Sequence, residues 1–71
     1  MPNVEIAIGA GRSPEQLRTL LREVHLAVLR SVDTAPESVR VLIREVPRDQ
    51  WATGDVTLAE RDAQKQAEEQ S

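Results

Sequence analysis

The sequence predicts an α/β chain: one β-α-β unit with parallel strands, a short C-terminal hairpin or tail, and completion by assembly into oligomers. Three observations carry this. Residues Asn3 to Ile8 alternate apolar and other side chains, the period of a half-buried strand. Ser13-Pro14-Glu15-Gln16 reads as a helix start and is followed by apolar residues at helical spacing. Residues Val39 to Val46 are rich in β-branched side chains and form a second strand. Two strands joined by a crossover helix run parallel with a right-handed connection. The unit is expected to occupy residues 1–57, with residues 58–71 as a charged tail, helical or frayed.

Each element has a local cause. Gly9-Ala10-Gly11 ends the first strand. Ser13 is placed to cap the helix, Pro14 suits the first helical position, and Gln16 completes a capping box. Leu17, Leu20, Leu21, Val24 and Val28 then form one stripe, so the helix should run from Pro14 to Val32. Asp33, Ala35 and Pro36 mark its exit, because Pro36 cannot continue a helix. In the second strand Val39, Val41 and Ile43 share one face, and Arg40, Leu42 and Arg44 share the other. Pro47-Arg48-Asp49 is a turn, and Thr53-Gly54-Asp55 is another that seeds a short hairpin. From Leu58 onward the chain is charged and weakly helical, a tail that frays or grips a neighbour.

Size makes assembly part of the prediction. A chain of 71 residues is one domain, and a domain this small buries only about 60% of its unfolded surface. It contains no cysteine and a single histidine, His25, so neither disulfides nor a structural zinc site can brace it. His25 is read as a helix-face residue. Association with other copies is the remaining support. One helix covers one face of a two-stranded sheet, which leaves Leu42 between Arg40 and Arg44 without a lid, and Leu26 and Leu29 lie off the helix stripe. The net charge of −3 argues against nucleic acid, which needs a clustered basic excess. No run of about 18 apolar residues and no basic-then-apolar leader occurs, so the expectation is a cytoplasmic protein without a membrane contact. Trp51 is the only aromatic residue, so any core must be built from Val, Leu, Ile and Ala.

Several stretches bear a resemblance: Met1-Pro2, Gly11 to Gln16, Leu21-Arg22-Glu23-Val24, and Ser38 to Ile43, aligned without a gap as far as Trp51. Over this two-thirds of its length the chain resembles the 4-oxalocrotonate tautomerase family. The family consists of short β-α-β chains that pair into dimers and usually assemble as hexamers. The resemblance implies that Pro2, freed by removal of Met1, is the catalytic base. It implies that Arg12 and Arg40 bind and polarise the substrate, that Trp51 lines the pocket, and that pocket residues come from more than one subunit. It further implies a small-molecule carboxylate substrate, such as 2-hydroxymuconate or a related 2-oxo acid of aromatic-compound breakdown, and a reaction without cofactor or metal.

The chemistry suits those residue types. Enol-keto isomerisation needs a base poised near neutral pH to take and return one proton. Two guanidinium groups and a dry pocket would disfavour the ammonium form of a proline amine, and the ring fixes its lone pair. A guanidinium can grip a carboxylate through two parallel hydrogen bonds and stabilise an enolate as it forms. The amine must be free, because an acylated Pro2 nitrogen has no basic lone pair; a proline at position 2 generally permits removal of Met1. The structural alternative for Arg40 is an ion pair with Glu5 across the sheet.

Two departures bear on substrate. Where the family carries an apolar residue and paired glycines after the aromatic residue, this chain has Ala52-Thr53-Gly54-Asp55. A related dehalogenase of trans-3-chloroacrylic acid uses a glutamate near the place of Thr53 to activate water, so Thr53 points away from dehalogenation. The competing functions are a subunit of a hetero-oligomer with a divergent, biosynthetic or dehalogenase-like substrate, and a non-catalytic module whose basic strand face recruits an acidic protein.

Overall fold

A computed structural model describes residues 1–70; Ser71, the end of the charged tail, lies outside the described residues. Strand β1 (Asn3–Gly9) leads into helix α1 (Pro14–Ser31) and then strand β2 (Arg40–Val46). The strands pair in parallel and in unbroken register, from Asn3 opposite Arg40 to Gly9 opposite Val46. Single 3₁₀ turns at Pro36–Ser38 and Arg48–Gln50 flank β2. Strands β3 (Ala52–Thr53) and β4 (Val56–Thr57) form a hairpin, and helix α2 (Leu58–Gln70) closes the chain.

The start of α1 is built by the predicted reciprocal cap. The Gln16 amide donates to Ser13 Oγ at 3.2 Å, and the Ser13 amide donates to Gln16 Oε1 at 2.9 Å. Orphan N–H groups of the first turn are thereby satisfied, and Pro14, which has none, follows directly. The helix ends one residue before the predicted limit, with the extended Val32 still donating to the Val28 carbonyl at 3.0 Å.

Strand periodicity sorts the sheet into two faces. Val4, Ile6, Ile8, Val41 and Ile43 are half-buried, whereas Glu5, Ala7, Leu42 and Arg44 are exposed. Leu17, Leu20, Leu21, Val24 and Val28 of α1 are also only half-buried. Among the described residues no hydrophobic side chain is fully buried, and Gly9 is the one buried residue. Leu42 stays 48% exposed and Leu26 38%.

The overall dimensions agree. The chain extends 52 × 23 × 18 Å with a radius of gyration of 16.3 Å, where a compact chain of this length would measure about 11 Å. It exposes 5567 Å², against about 4,400 Å² for a compact monomer of this mass. A domain without a sealed core does little to offset the entropy of folding, so the apolar faces of one copy call for further cover.

The C-terminal segment is more ordered than its charge pattern implies. Gly54 adopts φ 64° while Asp55 keeps a negative φ. A type II′ connection needs glycine only at its first central position, so an aspartate in the second is accommodated. The segment from Leu58 onward forms a helix of 13 residues. Its cap is a second reciprocal pair: the Glu60 amide donates to Thr57 Oγ1 at 3.0 Å, and the Thr57 amide donates to Glu60 Oε1 at 2.8 Å.

Candidate active site

Parallel pairing puts the starts of both strands at one edge of the sheet and both exit loops at the other. Pro2 and Arg40 therefore meet at the starting edge. The Arg40 amide donates to the Pro2 carbonyl at 3.0 Å, carrying the ladder one step beyond Asn3. Pro2 falls in phase with the helix-facing row of Val4, Ile6 and Ile8, and opens onto a groove of about 780 Å³. Val4, Val24, Ala27 and Val28 make its apolar wall. Met1, 89% exposed, stands at its mouth.

The Arg40 side chain belongs to the other row, with Leu42 and Arg44, and is exposed. It faces Asn3 in register, and no ion pair joins it to Glu5 among the described residues, so the structural alternative for Arg40 is absent. The backbone joins Pro2 to Arg40 while the sheet separates ring from guanidinium.

Arg12 and Trp51 lie at the opposite edge. Seven strand steps separate Pro2 from Gly9, a distance on the order of 20 Å. Arg12 Nη1 donates to the Gly9 carbonyl at 3.0 Å, which fixes the guanidinium at the exit of β1. Its remaining donors have no protein partner among the described residues, so a carboxylate has a fork available to it. Trp51 is half-buried just after the 3₁₀ turn, and its carbonyl accepts from the Leu58 amide at 2.9 Å, which closes the hairpin. One chain thus gathers Pro2 with the Arg40 backbone at one edge, and Arg12 with Trp51 at the other.

Two residues that the motif reading did not single out dominate the second edge. Arg48 donates from Nε and Nη2 to the two carboxylate oxygens of Asp62, at 2.6 and 3.0 Å, and from Nη1 to the Ala10 carbonyl at 3.3 Å. The fork from Arg48 holds the Asp62 carboxyl below its usual range and raises the guanidinium in turn. The Thr57 backbone N–H does the same to Glu60 at the helix cap. Nothing in a separation of 14 residues announces the Arg48–Asp62 pair; the Thr57-x-x-Glu60 cap is visible as a sequence pattern. Among the described residues no cluster of three or more His, Asp or Glu side chains converges as a metal site, and no helix is long and apolar enough to cross a membrane.

Comparison with known proteins gives this geometry a context. The family profile described as tautomerase enzyme matches residues 2–61. A 2-hydroxymuconate tautomerase of Stutzerimonas stutzeri is 48% identical over 54 residues, covering 76% of this chain and 86% of the relative. One from Pseudomonas putida is 46% identical over the same shares. Among solved structures, a 4-oxalocrotonate tautomerase isozyme of Methylibium petroleiphilum superposes with a TM-score of 0.84 at 32% identity, covering 89% of this chain and 98% of that one. A subunit of the heterohexameric 4-oxalocrotonate tautomerase of Chloroflexus aurantiacus does so with a TM-score of 0.80 at 35% identity, covering 84% and 97%. With a profile match that begins at Pro2 and relatives near half identity, the chain belongs to the tautomerase family and is an isomerase.

Proposed function

We propose that the chain, once Met1 is removed, catalyses enol-to-keto tautomerisation of 2-hydroxydienoate or related 2-oxo acids, with the Pro2 amine as general base. The observation that carries this reading is the place of Pro2: the first residue of the family match, at the rim of an apolar groove beside the exposed Met1. The amine takes the enol hydroxyl proton and leaves a dienolate; the resulting prolinium returns that proton to carbon, at position 3 or 5, and regenerates the base. A guanidinium stabilises the charge that collects on oxygen between these steps, and the second holds the carboxylate.

The distance between the two sheet edges supports a shared site. Arg12 and Trp51 of one copy serve Pro2 of another, and the exposed row of Arg40, Leu42 and Arg44 faces a neighbour. The coreless single chain supports the same assembly, a homohexamer built from dimers. A second reading, in which a different chain completes the site, is supported by the heterohexameric relative. Sizing and assay of this chain expressed alone separates the two.

The test is direct. Intact mass should show loss of Met1, and the processed chain should convert 2-hydroxymuconate or phenylenolpyruvate to the keto form with a change in absorbance. Pro2→Ala should lower kcat/KM about 100-fold or more, the usual contribution of a positioned base. Equal rates for Pro2→Ala and the wild type would end this reading.

A further inference from the structure

A clasp stands beside the two groups at the exit edge, Arg12 and Trp51. Arg48 stands three residues before Trp51, and its guanidinium has three anchors: both oxygens of Asp62 and the carbonyl of Ala10. Ala10 lies two residues before Arg12, and its own amide donates to the Val46 carbonyl at 2.9 Å. On the other side, Asp62 rides on α2, whose first residue, Leu58, donates its amide to the Trp51 carbonyl. The Leu58 side chain also seals the edge. A Cβ built on Gly9 would lie 2.8 Å from Leu58 Cδ1 and 3.1 Å from Arg48 Nη1. Gly9 is in turn the carbonyl that holds the Arg12 guanidinium.

We propose that Arg48 and Asp62 are positioning residues: their clasp between the β2 exit and α2 sets Arg12 and Trp51 for substrate binding. The assignment rests on Arg12 and Trp51 being the substrate-contacting groups of the proposed tautomerase. The bidentate fork fixes orientation as well as distance, which a lysine, with its point charge, does not. The pair is partly exposed, with side chains 35% and 47% accessible, so its effect lies in geometry more than in stability. If the fork opens, Arg48 frees the Ala10 carbonyl and α2 swings on the hairpin. The loop carrying Arg12 and the backbone of Trp51 then lose a restraint together.

Asp62→Asn, Arg48→Lys and Asp62→Glu test this in the assembled protein, with sizing to match the oligomeric state. Trp51 is the sole tryptophan, so quenching of its emission by acrylamide reports the edge without any assay of activity. Asp62→Asn and Arg48→Lys should raise KM for a carboxylated enol about three-fold with kcat nearly constant, and should increase quenching. Asp62→Glu, which keeps the carboxylate, should restore both toward wild type. Wild-type KM and quenching in Asp62→Asn and Arg48→Lys would overturn the proposal, as would equal impairment by Asn and Glu at position 62. A wild type without tautomerase activity would refute the enzymatic reading, while the quenching series would still decide the clasp.

Discussion

The two edges of the β1–β2 sheet are built on different plans. At the starting edge, Pro2 and Arg40 share one backbone hydrogen bond, and the surroundings are an open apolar groove. At the exit edge, Arg12, Arg48, Trp51, Leu58 and Asp62 are joined through several hydrogen bonds and a bidentate ion pair. The Pro2 edge is open, whereas the Arg12 and Trp51 edge is tied together within one chain. The cause is topological. In a parallel β-α-β unit, residues that begin strands and residues that follow them stand a strand length apart. A site that needs both must draw them from different copies.

The sharpest way to break this comparison is to mix two inactive variants. Pro2→Ala and Arg12→Ala, co-refolded in equal amounts, should regain activity, because about a quarter of shared sites in a randomly mixed symmetric assembly would be intact. No recovery in a mixture shown by mass to be hybrid would place both groups in one chain's site. Next in size, Arg40→Ala should raise KM for carboxylated substrates roughly ten- to hundred-fold, the worth of a lost charged hydrogen bond. An unchanged KM would remove Arg40 from the site.

Smaller effects probe the exit edge. Gly9→Ala places a methyl group against Leu58 and Arg48 and should cost about 1 kcal/mol through overpacking, lowering Tm by about 4 °C at fixed protein concentration. A Tm equal to wild type would show that α2 is free to move aside. The smallest effect is set by acid. Arg48 holds the Asp62 carboxyl below its usual range, with a further contribution from Lys65, and Thr57 does so for Glu60. For a lowered folded value, the contribution is complete above the ordinary carboxylate range near about pH 4 and fades as pH falls through the lowered value. The difference in Trp51 emission between wild type and Asp62→Asn should therefore be constant from neutral pH down to about pH 5 and shrink only below about pH 4. A difference that vanished near neutrality would contradict the clasp.

Much of the fold was legible in the sequence. The alternation in Asn3 to Ile8, the Ser13-to-Gln16 cap and the faces of β2 all appear where the periodicities place them. The tail was harder to read. Its net charge pattern suggested weak helicity, yet Thr57 and Glu60 form a reciprocal cap and Asp62 anchors α2 to Arg48. A cap is a local pattern and was open to reading; an ion pair formed across a hairpin was not. Pro2, Arg12, Arg40 and Trp51 were found through resemblance, and sequence position alone did not reveal that they divide between two edges.

What the sequence determined alone is what neighbouring residues along the chain decide: strand and helix periods, caps and turns, and apolar surface that one copy cannot cover. Tertiary structure decided what depends on register and crossover. It set Pro2 and Arg12 a strand length apart, turned the Arg40 side chain to the face away from Pro2, and closed Arg48 on Asp62. Local rules act over a few residues, whereas these relations arise only when β1 and β2 align and the hairpin folds α2 back onto the sheet's edge.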